Sequence, residues 1–142
     1  MNAIDHVAVV VRDIDEALPR YRELFGLAPQ APVETVAAQG VRLCFLPTGP
    51  LPAARIELIQ PVDPESGVAR FLDNRGEGLH HVCFGTTDLA AELARLADAG
   101  AELIDQVPRP GAEGPVAFVH PRTLNGVLWE LLETPGAVDG ER

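Results

Sequence analysis

The sequence predicts an α+β fold: a single domain over 1–142, made of two βαβββ repeats that form a half-open barrel. Three observations predict it. A strand-like apolar run followed by a capped amphipathic helix occurs twice, near the N-terminus and again after residue 78. In each copy a histidine precedes the capping aspartate by the same interval, His6 before Asp13 and His81 before Asp88 (13 − 6 = 7; 88 − 81 = 7). Each copy also closes on an apolar run interrupted by one glutamate, Glu57 in Ile56-Glu57-Leu58-Ile59 and Glu130 in Leu128-Trp129-Glu130-Leu131-Leu132. The histidines are offset by 81 − 6 = 75 residues and the glutamates by 130 − 57 = 73.

The elements follow in order. Ile4–Val11 is short and β-branched, with no helical period, and reads as a buried strand. Asp13, with Glu16 three residues on, forms a capping box for a helix whose apolar stripe is Leu18, Tyr21, Leu24 and Phe25. Gly26 ends it, and Pro19 lies early enough in the pattern to be tolerated. Strands are expected at Pro32–Val36, Gly40–Leu46 and Ala54–Gln60, with the proline-rich stretch 47–52 turning between the last two. Repeat one thus covers about 3–60. A connector over 61–78 carries a short helix near Val68–Asn74. Repeat two, 79–133, begins with the strand Leu79–Gly85 and a helix from Asp88 to Gly100. Strands at Glu102–Ile104, Val116–His120 and Val127–Glu133 complete it, and 134–142 reads as a frayed polar tail.

Strand parity selects the ligand candidates. His6, Ala8 and Val10 share one face of the first strand, and His81, Cys83 and Gly85 share one face of its repeat. The faces with small residues are assigned to the cavity, so His81 points inward, and His80 is a packing residue. A lone carboxylate in an apolar run loses solvation worth several kcal/mol unless a cation or donor compensates it. Two imidazoles and two carboxylates at matched positions therefore read as a divalent metal site of His6, Glu57, His81 and Glu130. These mixed donors suit Mn, Co, Ni or Zn alike.

Composition narrows the partners. The net charge of −10 argues against nucleic acid. All eleven cations are arginine, which excludes lysine Schiff-base chemistry and leaves arginine as the only fixed positive charge for phosphates or carboxylates. Arg109 and Arg122 are weaker substrate-binding candidates on those grounds, and His120, before Pro121 at a strand end, is a third as a pocket-lining residue. Trp129, across the strand from Glu130, reads as core packing. Cys44 and Cys83 read as buried free thiols. No membrane-length apolar run and no basic-then-apolar leader is visible, so a cytoplasmic location and no membrane partner are expected.

Several stretches carry a family resemblance: IDHVAVVVRDIDEALPRYRELFGL, AAQGVRLCFLP, RIELIQPVDPESGVARFLDNRGEGLHHVCFGTTDL, DQVPRPGAEG and VAFVHPRTLNGVLWELLE. They cover nearly the whole chain. The layout resembles the vicinal-oxygen-chelate (glyoxalase/bleomycin-resistance/dioxygenase) superfamily. GEGLHH, PRPGAEG and HPRTLNGVLWEL resemble its methylmalonyl-CoA epimerase branch. The resemblance implies that His6, Glu57, His81 and Glu130 hold one divalent metal ion, and that the substrate is an acyl-CoA. It also implies removal and return of the proton α to the thioester through a metal-stabilised enolate. A homodimer is expected, because open-barrel relatives cover their strand edges by pairing. Two departures stand out: Leu43 occupies a position where the branch often has a glutamate acting as a base, and the turn Gly111–Gly114 is short and lacks the lysine common there. Glu130 is then the candidate acid/base on one face of the substrate, with Glu34 or water on the other. The rivals are a glyoxalase-like isomerase or a dioxygenase of the same superfamily, and a non-enzymatic ligand-sequestering protein.

Overall fold

The computed structural model describes residues 1–135, and backbone contacts divide the chain into two compact units. One unit is His6–His80; the other joins Met1–Asp5 to the chain from His81 onward.

The first unit contains β1 (Ile4–Val10, from His6), α1 (Ile14–Phe25), β2 (Glu34–Val36), β3 (Val41–Pro47), β4 (Arg55–Pro61) and α2 (Gly67–Arg75). Its strands lie in the order β2-β3-β4-β1, with β4 antiparallel to β3 and parallel to β1. Asp13 caps α1 by accepting the Asp15 N–H, and Gly26 ends it in the left-handed conformation at φ 68°. The helix runs through Pro19. Ile14 is fully buried against Val11, Cys44, Leu46 and Leu58, with Ala17, Leu18 and Tyr21 packed beside it. Leu24 and Phe25 do not belong to this stripe. They are 58% and 69% exposed, because the last turn of α1 carries them away from the packed face. A 3₁₀ turn at Ala37–Gln39 leads to Gly40, whose φ of 66° suits glycine. The Gly40 carbonyl accepts the N–H groups of both Val62 and Asp63, and a Cβ there would lie 2.6 Å from Asp63 Cβ. Ser66 caps α2, accepting the Ala69 N–H.

The second unit contains the rest of β5 (Gly78–Thr86, from His81), α3 (Leu89–Asp98), β6 (Arg109–Pro110), β7 (Pro115–Val119) and β8 (Trp129–Glu133). Its order is β5-β8-β7-β6, the same plan as the first, with β5 and β8 parallel and β7 antiparallel to β8. Leu89 and Leu93 of α3 pack on Ala117 and Leu131, joined by Phe84, Leu96 and Leu103. The strand expected at Glu102–Ile104 is absent. Leu103 forms only an isolated bridge to Val119, and the Asp105 carboxylate accepts the Phe118 N–H at 2.8 Å, taking the donor that another strand residue would use. The outer strand instead forms at Arg109–Pro110. Thr134, expected to open the tail, is tied by its N–H to the Thr86 carbonyl at 2.8 Å; the remainder of the expected tail lies outside the described residues. Among the described residues no helix is long and apolar enough to cross a membrane.

Candidate metal centre

Each unit builds one buried His–Glu pair, on the sheet face opposite the one that packs on α1 in the first unit and on α3 in the second. In the first, Val9 and Val11 pack toward α1, so alternation turns His6, Ala8 and Val10 to the other face, where all three are buried. Parallel register sets Ala8 opposite Glu57 and Arg55 opposite His6. His6 Nε2 lies 3.5 Å from Glu57 Oε1, with the residues 3% and 5% exposed.

The second unit repeats the arrangement. Phe84 turns toward α3, while Cys83 packs with Val116 and Leu132 on the opposite face. His81 shares the parity of Cys83, and Cys83 stands opposite Glu130. His81 Nε2 is 3.0 Å from Glu130 Oε1, both residues at least nine-tenths buried. His80, on the other parity, is half-buried with its ring edge on Phe71 at 4.9 Å. Buried imidazole and carboxylate donors are what a borderline divalent cation takes, so each pair is a possible ligand group for a metal.

Both pairs have a third member that the sequence reading missed. Phe45 stands opposite Glu57 across β3–β4, and its ring meets His6 nearly edge-on at 5.2 Å. Phe118 stands opposite Glu130 across β7–β8 and meets His81 at 5.5 Å. The signal was available: 118 − 45 = 73, the offset of the glutamates. An arginine lies over each ring, Arg55 with its guanidinium carbon 4.2 Å from the Phe45 centroid and Arg109 at 5.0 Å from that of Phe118.

The weaker candidates fall elsewhere. Arg109 Nε is 3.3 Å from Asp105. His120 caps the 3₁₀ turn after β7, its Nδ1 accepting the Arg122 N–H. Arg122 donates to Glu102 at 2.8 Å, a bond that holds the Glu102 carboxyl below its usual range and raises the Arg122 guanidinium. Trp129 stacks on Phe84 with ring centroids 5.7 Å apart. Glu34 is exposed on β2, directly opposite the buried Leu43. Cys44 and Cys83 are buried and joined in no disulfide, and burial pushes Cys44 up to about 11, with the Glu57 charge adding to the effect and Arg42 opposing it.

A sequence profile of the glyoxalase/bleomycin resistance protein/dioxygenase superfamily matches residues 5–118. The chain belongs to that superfamily. Among its relatives is an ethylmalonyl-CoA/methylmalonyl-CoA epimerase of Cereibacter sphaeroides, 38% identical, the match covering 90% of this chain and 95% of that protein. A crystal structure of methylmalonyl-CoA epimerase from Mycobacterium tuberculosis is 36% identical, with a TM-score of 0.85 over 94% of this chain and 88% of its own. A methylmalonyl-CoA epimerase in complex with methylmalonyl-CoA and NH4+ is 33% identical, with a TM-score of 0.89 over 94% of this chain and 95% of its own. The superfamily fold and the likeness to its epimerase enzymes, both expected from the sequence, are therefore borne out.

Proposed function

We propose that this superfamily member is a metal-dependent epimerase of methylmalonyl-CoA or a close 2-substituted malonyl thioester. The observation that carries the reading is the duplicated buried pair, His6 with Glu57 and His81 with Glu130, in a chain whose epimerase relatives match it over nine-tenths of its length. His6 and His81 are neutral donors, and Glu57 and Glu130 supply the charge that balances a divalent ion. Such an ion, held by these four side chains, supplies Lewis-acid stabilisation of negative charge on the thioester oxygen. Glu130 takes the proton from the carbon α to the thioester carbonyl, and the electron pair of the broken C–H bond moves into that carbonyl as an enolate. Water, or Glu34 on β2, returns a proton to the opposite face. The rest of the reading is a cytoplasmic homodimer with each metal centre made within one chain; sedimentation as a stable monomer at micromolar concentration would count against the dimer.

The test is incubation of one methylmalonyl-CoA epimer in deuterated water, following chirality and α-deuterium together. Loss of chirality with deuterium entering the α position is the expected result. Retention of both chirality and α-hydrogen by metal-replete protein would end the proposal.

A further inference from the structure

The face that carries His6 and Glu57 also carries a guanidinium. Arg55 stands opposite His6 in the parallel register and two residues before Glu57 on β4, so all three share one side of the sheet. Its guanidinium lies over the Phe45 ring, which forms a T-shaped pair with His6. The side chain is half-buried, with its planar group held on an aromatic platform rather than trailing into solvent. The fold does not demand arginine here, because the equivalent residue of repeat two is Leu128 (55 + 73 = 128). Nor does Arg109 duplicate it: that arginine reaches Phe118 from β6, not from the strand that carries the glutamate.

We infer that Arg55 binds the free carboxylate of the substrate's malonyl unit and so selects α-carboxylated thioesters over neutral ones. The inference rests on the epimerase reading. A planar guanidinium matches a carboxylate with two parallel N–H···O bonds, and in a chain without lysine arginine is the only side chain with a fixed charge to do so. The position beside the His6–Glu57 pair puts that charge next to where the reacting end of the substrate is held under that reading.

The experiment compares metal-loaded wild type, Arg55→Gln and Arg55→Lys on methylmalonyl-CoA and on the N-acetylcysteamine thioester of methylmalonate, which keeps the carboxylate and lacks the CoA phosphates. Arg55→Gln should raise KM about 10- to 100-fold on both thioesters, the range for a charged hydrogen-bonded pair. Metal content and Tm should match wild type, kcat should change much less than KM, and Arg55→Lys should fall between the two. A KM loss confined to the CoA thioester would mean that Arg55 reads phosphate and would overturn the inference, as would unchanged KM or a loss explained by missing metal. Calorimetric titration with methylmalonate separates this from failure of the epimerase reading. If wild type proves inactive, affinity at least 10-fold weaker in Arg55→Gln still supports the carboxylate contact, and equal affinity removes it.

Discussion

The two repeats agree closely at their inner three strands and part company at the fourth. In both, the residue two after the histidine stands opposite the glutamate, Ala8 with Glu57 and Cys83 with Glu130, and a phenylalanine stands opposite that glutamate on the far side. The outer strands share little: three residues of β2 precede a 3₁₀ turn and Gly40, whereas β6 is two residues reached by a loop that leaves only one bridge behind. The geometry of each His–Glu pair therefore belongs to a parallel strand pair and one antiparallel neighbour. The fourth strand is free to differ, and it differs where repeat two brings Arg109 to its phenylalanine.

The strongest way to break this equivalence is to remove one ligand from each repeat. His6→Ala and His81→Ala should each reduce bound metal from about one ion per chain to almost none, and activity with it, while His80→Ala keeps both. Metal analysis of the purified variants checks this, and full occupancy in either ligand variant would deny that repeat its share of the site. Glu57→Ala should lose metal in the same way. Glu130→Gln sharpens the comparison by separating ligand from base: with metal retained, its rate should fall at least about 100-fold, the low end for a general acid/base. Near-normal turnover would leave Glu130 a ligand only.

Smaller effects test the supporting shell. Phe45→Ala and Phe118→Ala should each cost about 3 kcal/mol in denaturant unfolding, since both rings are more than nine-tenths buried. Costs differing by more than about 1.5 kcal/mol, beyond ordinary mutational scatter, would show that the rings are not equivalent. The least change converts Cys44 to its counterpart, Ala117 (44 + 73 = 117). The thiol is raised in the folded protein, so the stability linked to it is complete below the unfolded thiol range near 8.5 and drains away as pH climbs toward 11. Cys44→Ala should flatten that decline above pH 8.5 at a cost of about 1 kcal/mol at neutral pH. A decline as steep as wild type would assign it to other groups.

Much of this was legible in the sequence. The caps at Asp13 and Asp88 and the stop at Gly26 are local rules that the fold obeys, and period-two alternation put His81 on the buried face and His80 on the other. Long-range features were harder to read. The stripe through Leu24 and Phe25 satisfies helical spacing, but spacing does not say where the underlying sheet ends. Glu102–Ile104 has strand composition, yet the Asp105 carboxylate competes for the Phe118 N–H and cuts the pairing short. The 73-residue offset marks Phe45 and Phe118 as equivalent positions, but only strand register shows which histidine each ring meets.

The parallel strand pairs bear on the order in which the molecule assembles. His6 meets Glu57 across 57 − 6 = 51 residues, and His81 meets Glu130 across 130 − 81 = 49. A parallel pair cannot form by a tight hairpin, so each imidazole finds its carboxylate only after a helix and two further strands have closed the chain between them. The pairs thus depend on long-range chain closure, and an ion bound there as proposed would latch a finished repeat instead of seeding it. Metal should then lengthen the lifetime of the native state, slowing unfolding far more than it hastens folding.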